Sequence, residues 1–370
     1  MGMQQKIIFR YILKELFTPF FLGLSVFVFI LVMSQMLRLN ELVIVHGVGL
    51  WTVLKLLFYL LTSFLGISIP IALLFSVLMV FGRLSTDSEI TAMRASGFSL
   101  FQLLSPVIVF SVIVCAFCLY LTLYLENWGS RSYRQVIFEV GKNKASVGLK
   151  EGIFTDDFFG LVMYAQRVNE KDSSLQNVFI YDQREQNRPM SVVSSAGQLI
   201  SSSELNAIFL VLQDGSIHSF EKDYESIQKI NFDRYTINLT LDKLFEEDTK
   251  ERAKWLSIPE LRRRTKEEYE KGNLKKARDF ESEFHRKFAV AFVSLIFAII
   301  GVGLGIKSSR AIKSLSFVYT LLLVGAYWGL YINARNIAIS GIIPPWLAMW
   351  LPNLLFLVLA LYLVRRANRQ

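Results

Sequence analysis

"GRLSTDSEITAMRASGFS", residues 82–99, is a charged interval between two of the most apolar stretches of the chain. Before it runs "WTVLKLLFYLLTSFLGISIPIALLFSVLMVF" (51–81), and after it "LFQLLSPVIVFSVIVCAFCLYLTLYL" (100–125). A bilayer core needs about 20 apolar residues in helix, so each neighbour is long enough to cross a membrane. The interval then reads as one short helix between two spans. Its composition is that of a capped helix, with acids early, a cation late and a glycine at the end. Pro70 lacks an N–H and predicts a kink or a local break in the run before it.

Four further runs extend the pattern. "ELFTPFFLGLSVFVFILVMSQML" (15–37) precedes the two above; "FAVAFVSLIFAIIGVGLGI" (288–306), "SLSFVYTLLLVGAYWGLYI" (314–332) and "WLAMWLPNLLFLVLALYLV" (346–364) follow a polar middle. The first run exceeds the apolar region of a cleavable leader, and no small-residue site follows before "RLNEL" (38–42), so it reads as a span. Composition agrees: 370 residues, 53% hydrophobic, with a mean hydropathy of +0.40, exclude an ordinary soluble enzyme.

The net charge of +9 could suggest nucleic acid, but its placement argues otherwise. Lys6, Arg10, Lys14, Arg83, Arg94, Lys307, Arg310, Lys313, Arg365, Arg366 and Arg369 flank one side of the six spans; the opposite short loops hold Arg38 and Arg335. By the positive-inside rule the first side, with both termini, is cytoplasmic. Nucleic acid is disfavoured as a partner. Residues 126–287 then lie across the membrane. There "GLVMYAQRV" (160–168), "NVFIYDQR" (177–184), "MSVVSSAGQLI" (190–200), "AIFLVLQDGSIHSF" (207–220) and "DRYTINLTL" (233–241) have strand texture. Asp214-Gly215 is a hairpin-turn signal. A small antiparallel sandwich or barrel of roughly 110 residues is expected. A helix follows, with Ser257 as N-cap, Pro259 in the first turn, Glu260 closing a capping box and Gly272-Asn273 as a break.

The fold class is therefore an α-helical polytopic membrane protein, three spans plus three, around a central all-β domain. The expected boundaries are 1–125 for the first spans, with the short helix at 85–97; 126–256 for the β domain; 257–287 for a connecting helix; and 288–370 for the last spans.

Chemistry is sparse. No G-x-x-x-x-G-K-[ST] occurs, so the chain has no P-loop of its own. His46, His218 and His285 lack metal-ligand spacing, and no G-x-S-x-G elbow is present. Cys115 and Cys118 form C-x-x-C inside an apolar run, where packing is favoured over redox chemistry. Acid pairs such as Asp156-Asp157 read as solvated loops, and the basic run 262–264 as a solvated face that could also meet lipid headgroups. No catalytic residue, metal or bound cofactor is expected. What remains is the opening stretch. Thr86 and Glu89 have capping-box spacing, Asp87 and Glu89 suit a helix start and Arg94 its end, and Gly97 suits a left-handed C-cap. Ile90, Ala92 and Met93 would offer apolar contacts. A plain connector explains these features as well as a docking helix gripped by a cytoplasmic partner does.

The stretch 82–99, together with "FRYILKEL" (9–16), "EFHRKFA" (283–289) and the three-plus-three layout, resembles the LptF/LptG permease family, more its LptF branch through "SEITAMRASGFS" and "RLNELVIVHGVGL" (38–50). The resemblance implies a permease subunit of the lipopolysaccharide exporter in the bacterial inner membrane, with a jellyroll-like periplasmic domain. It implies a cytosolic ABC ATPase dimer (LptB-like) that uses the ATP, a second, LptG-like permease, and a periplasmic bridge with its membrane anchor (LptA/LptC-like). Lipopolysaccharide would be the substrate, amid membrane lipids. It further implies that 85–97 is the coupling helix, with Glu89 docking on the ATPase. Asp87, Ile90, Met93 and Arg94 complete the expected coupling set. Arg38 and Arg335, charged where the cytoplasmic bias does not place charge, are the expected contacts for lipid phosphates, with interfacial snorkelling as the alternative. Ala291 and Gly303 stand where proline is common in the family, which puts a proline-dependent bend of the fourth span in doubt. Two other classes stay open: the permease of another lipid- or lipoprotein-extracting ABC system, and a membrane scaffold or receptor that transports nothing.

Overall fold

The computed structural model describes residues 3–46, 49–144, 151–158, 161–169, 172–182, 190–202, 207–220, 227–238, 253–306 and 311–368. Among the described residues, six helices are long and apolar enough to cross a membrane: Gln5–Met36, Leu50–Thr86, Leu100–Ile137, Leu274–Gly305, Ser316–Ser340 and Pro345–Asn368. A central antiparallel sheet lies between the third and fourth in sequence. The elements are α1 (Met3–His46), α2 (Leu50–Thr86), α3 (Glu89–Ala95), α4 (Leu100–Tyr120), a π-helical turn (Leu121–Leu125) and α5 (Glu126–Lys144). Strands β1 to β6 follow (Thr155–Phe158, Leu161–Asn169, Ser174–Asp182, Met190–Ser202, Ala207–Phe220, Ile227–Asn238). Last come α6 (Ile258–Glu270), α7 (Leu274–Gly305), α8 (Ala311–Ser340) and α9 (Pro345–Asn368). The chain forms two compact units, one of 1–36, 57–131 and 252–370, the other of 37–56 and 132–251.

In the helical unit, α7 is the hub. Its Ala291, Ala298 and Val302 join a core with Ile12 and Leu16 of α1, Leu73, Val77 and Phe81 of α2, and Leu103 and Val107 of α4. Its Phe297 and Ile300 meet Tyr327 of α8 and Phe356 of α9 in a second core. The run "GVGLG" permits this close approach. A Cβ on Gly301 would lie 2.8 Å from Val77, one on Gly305 2.6 Å from Phe81, and one on Gly303 within 3.2 Å of the α9 backbone at Leu363 and Val364. Small residues that let helix backbones meet are the usual packing device in lipid, where burial alone gives no drive. Helix α7 runs unbroken through Ala291 and Gly303. Nor is α2 broken at Pro70, which lies between the buried Ile69 and Ile71. Cys115 and Cys118 are buried free thiols, the latter turned toward the Gly66 carbonyl at 3.4 Å.

The sheet has the order β1-β2-β3-β4-β5-β6, each strand antiparallel to the next. One position per strand falls out of the ladder: Gln166, Asn177, Ser195, Asp214 and Asp233 form a continuous line across β2 to β6. Inward parity changes there. Val178 and Ile180 are buried on one side of the line and Leu175 on the other, an odd step that would put them on opposite faces of a regular strand. Across the crease the side chains of both halves enter a single core of Leu161, Met163, Val178, Val192, Leu199, Leu210 and Leu212. Asp214-Gly215 is part of this crease and not a hairpin turn. Asp214 takes φ 50° within the long strand β5, and a Cβ at Gly215 would run into the Val193 carbonyl and the Phe232 ring.

Candidate functional site: the docking helix and a buried ion cluster

Helix α3 lies between α2 and α4 and differs from its sequence reading at its start. Thr86 remains in α2, its hydroxyl donating to the Gly82 carbonyl at 2.8 Å. Ser88, at φ 60° and ψ 11°, opens α3 with no side-chain cap. The Thr86/Glu89 capping box is therefore not formed, because α2 carries on one turn further and takes the threonine with it. The capping box in this region belongs to α4, where Gln102 Oε1 accepts from the Ser99 N–H at 2.8 Å and Ser99 Oγ from the Gln102 N–H at 3.3 Å. Its S-x-x-Q spacing was visible in the sequence. Gly97, at φ 91°, ends α3 as expected: its N–H donates to Arg94 O, and that of Phe98 to Met93 O.

Freed from capping, the Glu89 carboxylate turns to the first span. Tyr11 donates its hydroxyl proton to Glu89 Oε2 at 2.8 Å. Arg83 Nη2 lies 3.4 Å from the same hydroxyl and 2.8 Å from Glu15 Oε2. Glu89 is half-buried and Asp87 exposed. Ile90, expected among the outward contacts, is buried in the helical core with Met93 packed partly against it. A seven-residue helix has to sink one face to be stable at all. Arg94 reaches past its own helix end to the carbonyls of Ala367 and Asn368, both at 3.4 Å, where the last turn of α9 has acceptors without helical donors.

The sequence reading missed a second cluster, which lies within the helical unit. Glu126, Asp279, Glu283, Arg286, Lys287 and Arg335 are all buried. Arg286 donates to Glu283 at 2.6 Å and to Glu126 at 2.8 Å. Lys287 Nζ donates to Asn127 Oδ1 at 2.8 Å and to the carbonyls of Thr122 and Lys254 at 3.2 and 3.3 Å. Arg335 Nη2 meets Asp279 Oδ1 at 2.8 Å and lies 4.0 Å from Glu283. Three acids meet three cations, so the cluster is neutral, as burial of charge demands. The π-turn falls here: Thr122, inside it, presents its carbonyl to Lys287 and its hydroxyl to the Lys287 carbonyl at 3.2 Å. Arg335 is thus 8% exposed and engaged by an acid, while the Arg38 side chain lies outside the described residues. "EFHRKFA" carried the signal: Glu283, Arg286 and Lys287 share one helical face by their spacing.

Beside this three-plus-three arrangement of apolar helices around a central antiparallel sheet, the family model for the lipopolysaccharide export system permease LptF/LptG matches the chain over residues 10–366. The chain belongs to the LptF/LptG family. It is 23% identical, over 96% of its length and 94% of theirs, to the lipopolysaccharide export system permease proteins LptF of Escherichia coli strain K12 and of Shigella flexneri. Membership makes it a transport subunit of the lipopolysaccharide export system and a multi-pass inner-membrane protein.

Proposed function

We propose that this chain is one permease of an ABC exporter that extracts lipopolysaccharide from the inner membrane and passes it to a periplasmic bridge. Charge bias supports cytoplasmic termini and a periplasmic sheet domain. A multi-chain lipid costs about 0.8 kcal/mol for each CH₂ withdrawn from the bilayer. Extraction therefore needs an external energy source, and a sequence without a P-loop motif points to a separate ATPase dimer. A second, LptG-like permease completes the cavity, and an LptA/LptC-like bridge receives the lipid; this chain holds no cofactor. The observation that carries the reading is Glu89: half-exposed at the start of α3, with one oxygen on Tyr11 and the other available to a cation. With Ile90 turned inward, Asp87, Glu89 and the outer edge of Met93 form the docking surface, and Arg94 anchors it. Arg335 serves as counter-ion to Asp279, so a lipid phosphate reaches it only by displacing that acid; Arg38 has the phosphate role in the first place.

The test is purification of the native complex with Glu89→Gln and Glu89→Lys. A docking cation left without its acid loses on the order of 2–5 kcal/mol, so both variants should shed the ATPase or hydrolyse ATP without releasing lipid. Full ATPase retention with normal release in both would make α3 a connector. If no ATPase accompanies the wild-type complex, the scaffold reading gains.

A further inference from the structure

We propose that Tyr11 is the positioning residue for the docking carboxylate, and that the Tyr11–Glu89 hydrogen bond is the tie by which movement of α3 reaches the first span. The inference rests on the coupling reading above. A half-exposed glutamate has free torsions and would ordinarily sample many directions. Here the directions are limited by donor chemistry. Arginine only donates, so Arg83, 3.4 Å from the Tyr11 oxygen, occupies that oxygen as acceptor. The Tyr11 proton is thereby aimed at Glu89 Oε2, 2.8 Å away. Arg83 is itself fixed by Glu15 at 2.8 Å. Tyr11 and Glu15 are four residues apart on α1 and so share a face. The Tyr11 ring packs against the helical core, which leaves its hydroxyl little freedom.

The result is a chain of contacts, Glu89–Tyr11–Arg83–Glu15, through three elements, α3, α1 and α2. It turns one Glu89 oxygen inward and presents the other. At the far end of α3, Arg94 holds the last carbonyls of α9. A helix of seven residues has little stability of its own, so these side-chain ties at its two ends set its orientation. A pull on Glu89 by a docked partner is felt directly at Tyr11 in α1.

The experiment uses the full chain with its ATPase and second permease in proteoliposomes and reads lipopolysaccharide released per ATP hydrolysed. Tyr11→Phe keeps the ring and removes only the hydroxyl. It should lower that ratio about tenfold (~1.4 kcal/mol) with an unchanged thermal midpoint. Because Tyr11 acts through Glu89, the double variant Tyr11→Phe/Glu89→Gln should be no worse than Glu89→Gln alone. A normal ratio in Tyr11→Phe, or losses that multiply in the double variant, overturns the inference. So does a fall in ratio that only tracks a fall in thermal midpoint, which would assign Tyr11 to packing. A normal ratio in Tyr11→Phe beside a defective Glu89→Gln removes this inference and leaves the coupling reading standing. A normal Glu89→Gln removes the coupling reading itself.

Discussion

Glu89 and Glu260 are both glutamates three residues after a hydroxyl, and the sequence assigns both to capping boxes. Only Glu260 forms one. The Ser257 N–H and hydroxyl donate to its Oε2 at 3.0 and 2.7 Å, and Arg131 at 2.6 Å. The difference lies in what precedes them. Ser257 follows a turn and is free to be an N-cap, whereas Thr86 is still hydrogen-bonded in α2, a continuation that local spacing does not encode. The partners of Glu89, from residues 11, 15 and 83, are likewise tertiary and invisible to a local reading. The cap makes a pH prediction. The Ser257 N–H first, then its hydroxyl and Arg131, hold the Glu260 carboxyl below its ordinary range. A depressed folded value means the contribution is complete above the ordinary glutamate value of about 4.3 and is lost as pH falls through the folded one. At stake is about 1 kcal/mol of helix-start stability, the exposed ion pair with Arg131 adding little. Hydrogen exchange at the first-turn amides of α6 should quicken relative to Glu260→Gln as pH drops from 6 to 3, with the two proteins converging at the acid end. Parallel curves throughout would show that the charge contributes nothing.

At the scale of elements, periodicity located the helices and missed their interruptions. The π-turn at Leu121–Leu125 has no composition of its own. It sits where Lys287 and Glu126 meet partners on neighbouring helices, and one extra residue in a turn re-aims the side chains after it. The crease in the sheet is similar: Asn177 and Asp214, at φ 49° and 50°, suit left-handed backbone, yet only the Asp-Gly pair draws attention in sequence, and as a turn. The ion cluster gives the sharper prediction. Removing one partner of a buried pair leaves a bare charge and costs about 3–5 kcal/mol. Arg286→Gln leaves Glu126 and Glu283 with only the longer contacts to Lys287 at 3.8 Å and Arg335 at 4.0 Å, so the purified protein in detergent should unfold at a clearly lower temperature. Arg263→Gln, which breaks only the exposed pair with Glu267, should change it within about 0.5 kcal/mol. Equal effects from the two would mean that water reaches the cluster and screens it.

The whole molecule was the most legible level, because hydropathy over about 20 residues is a property of the run and needs no partner. Six apolar helices, and an antiparallel sheet between the third and fourth in sequence, are what the sequence leads one to expect. The crease was not legible, since a strand records which residues are apolar and not where its parity changes. Orientation is the remaining consequence of the whole chain. If Arg83, Arg94, Arg365 and Arg366 mark the cytoplasmic side, the parity of six spans returns the C-terminus to the side of the N-terminus and sends the sheet domain across. Arg335 does not weaken that argument. Its charge is matched by Asp279 at 2.8 Å, so it reports an internal pairing and not the side of the membrane. Reporter fusions after Gln370 and within 200–206 should therefore register opposite compartments, cytoplasm and periplasm in that order. The same compartment for both would mean an even number of spans between them, or a sheet domain that never leaves the cytoplasm. In either case the docking helix, on the same side as the C-terminus by this count, would lose its claim to face an ATPase.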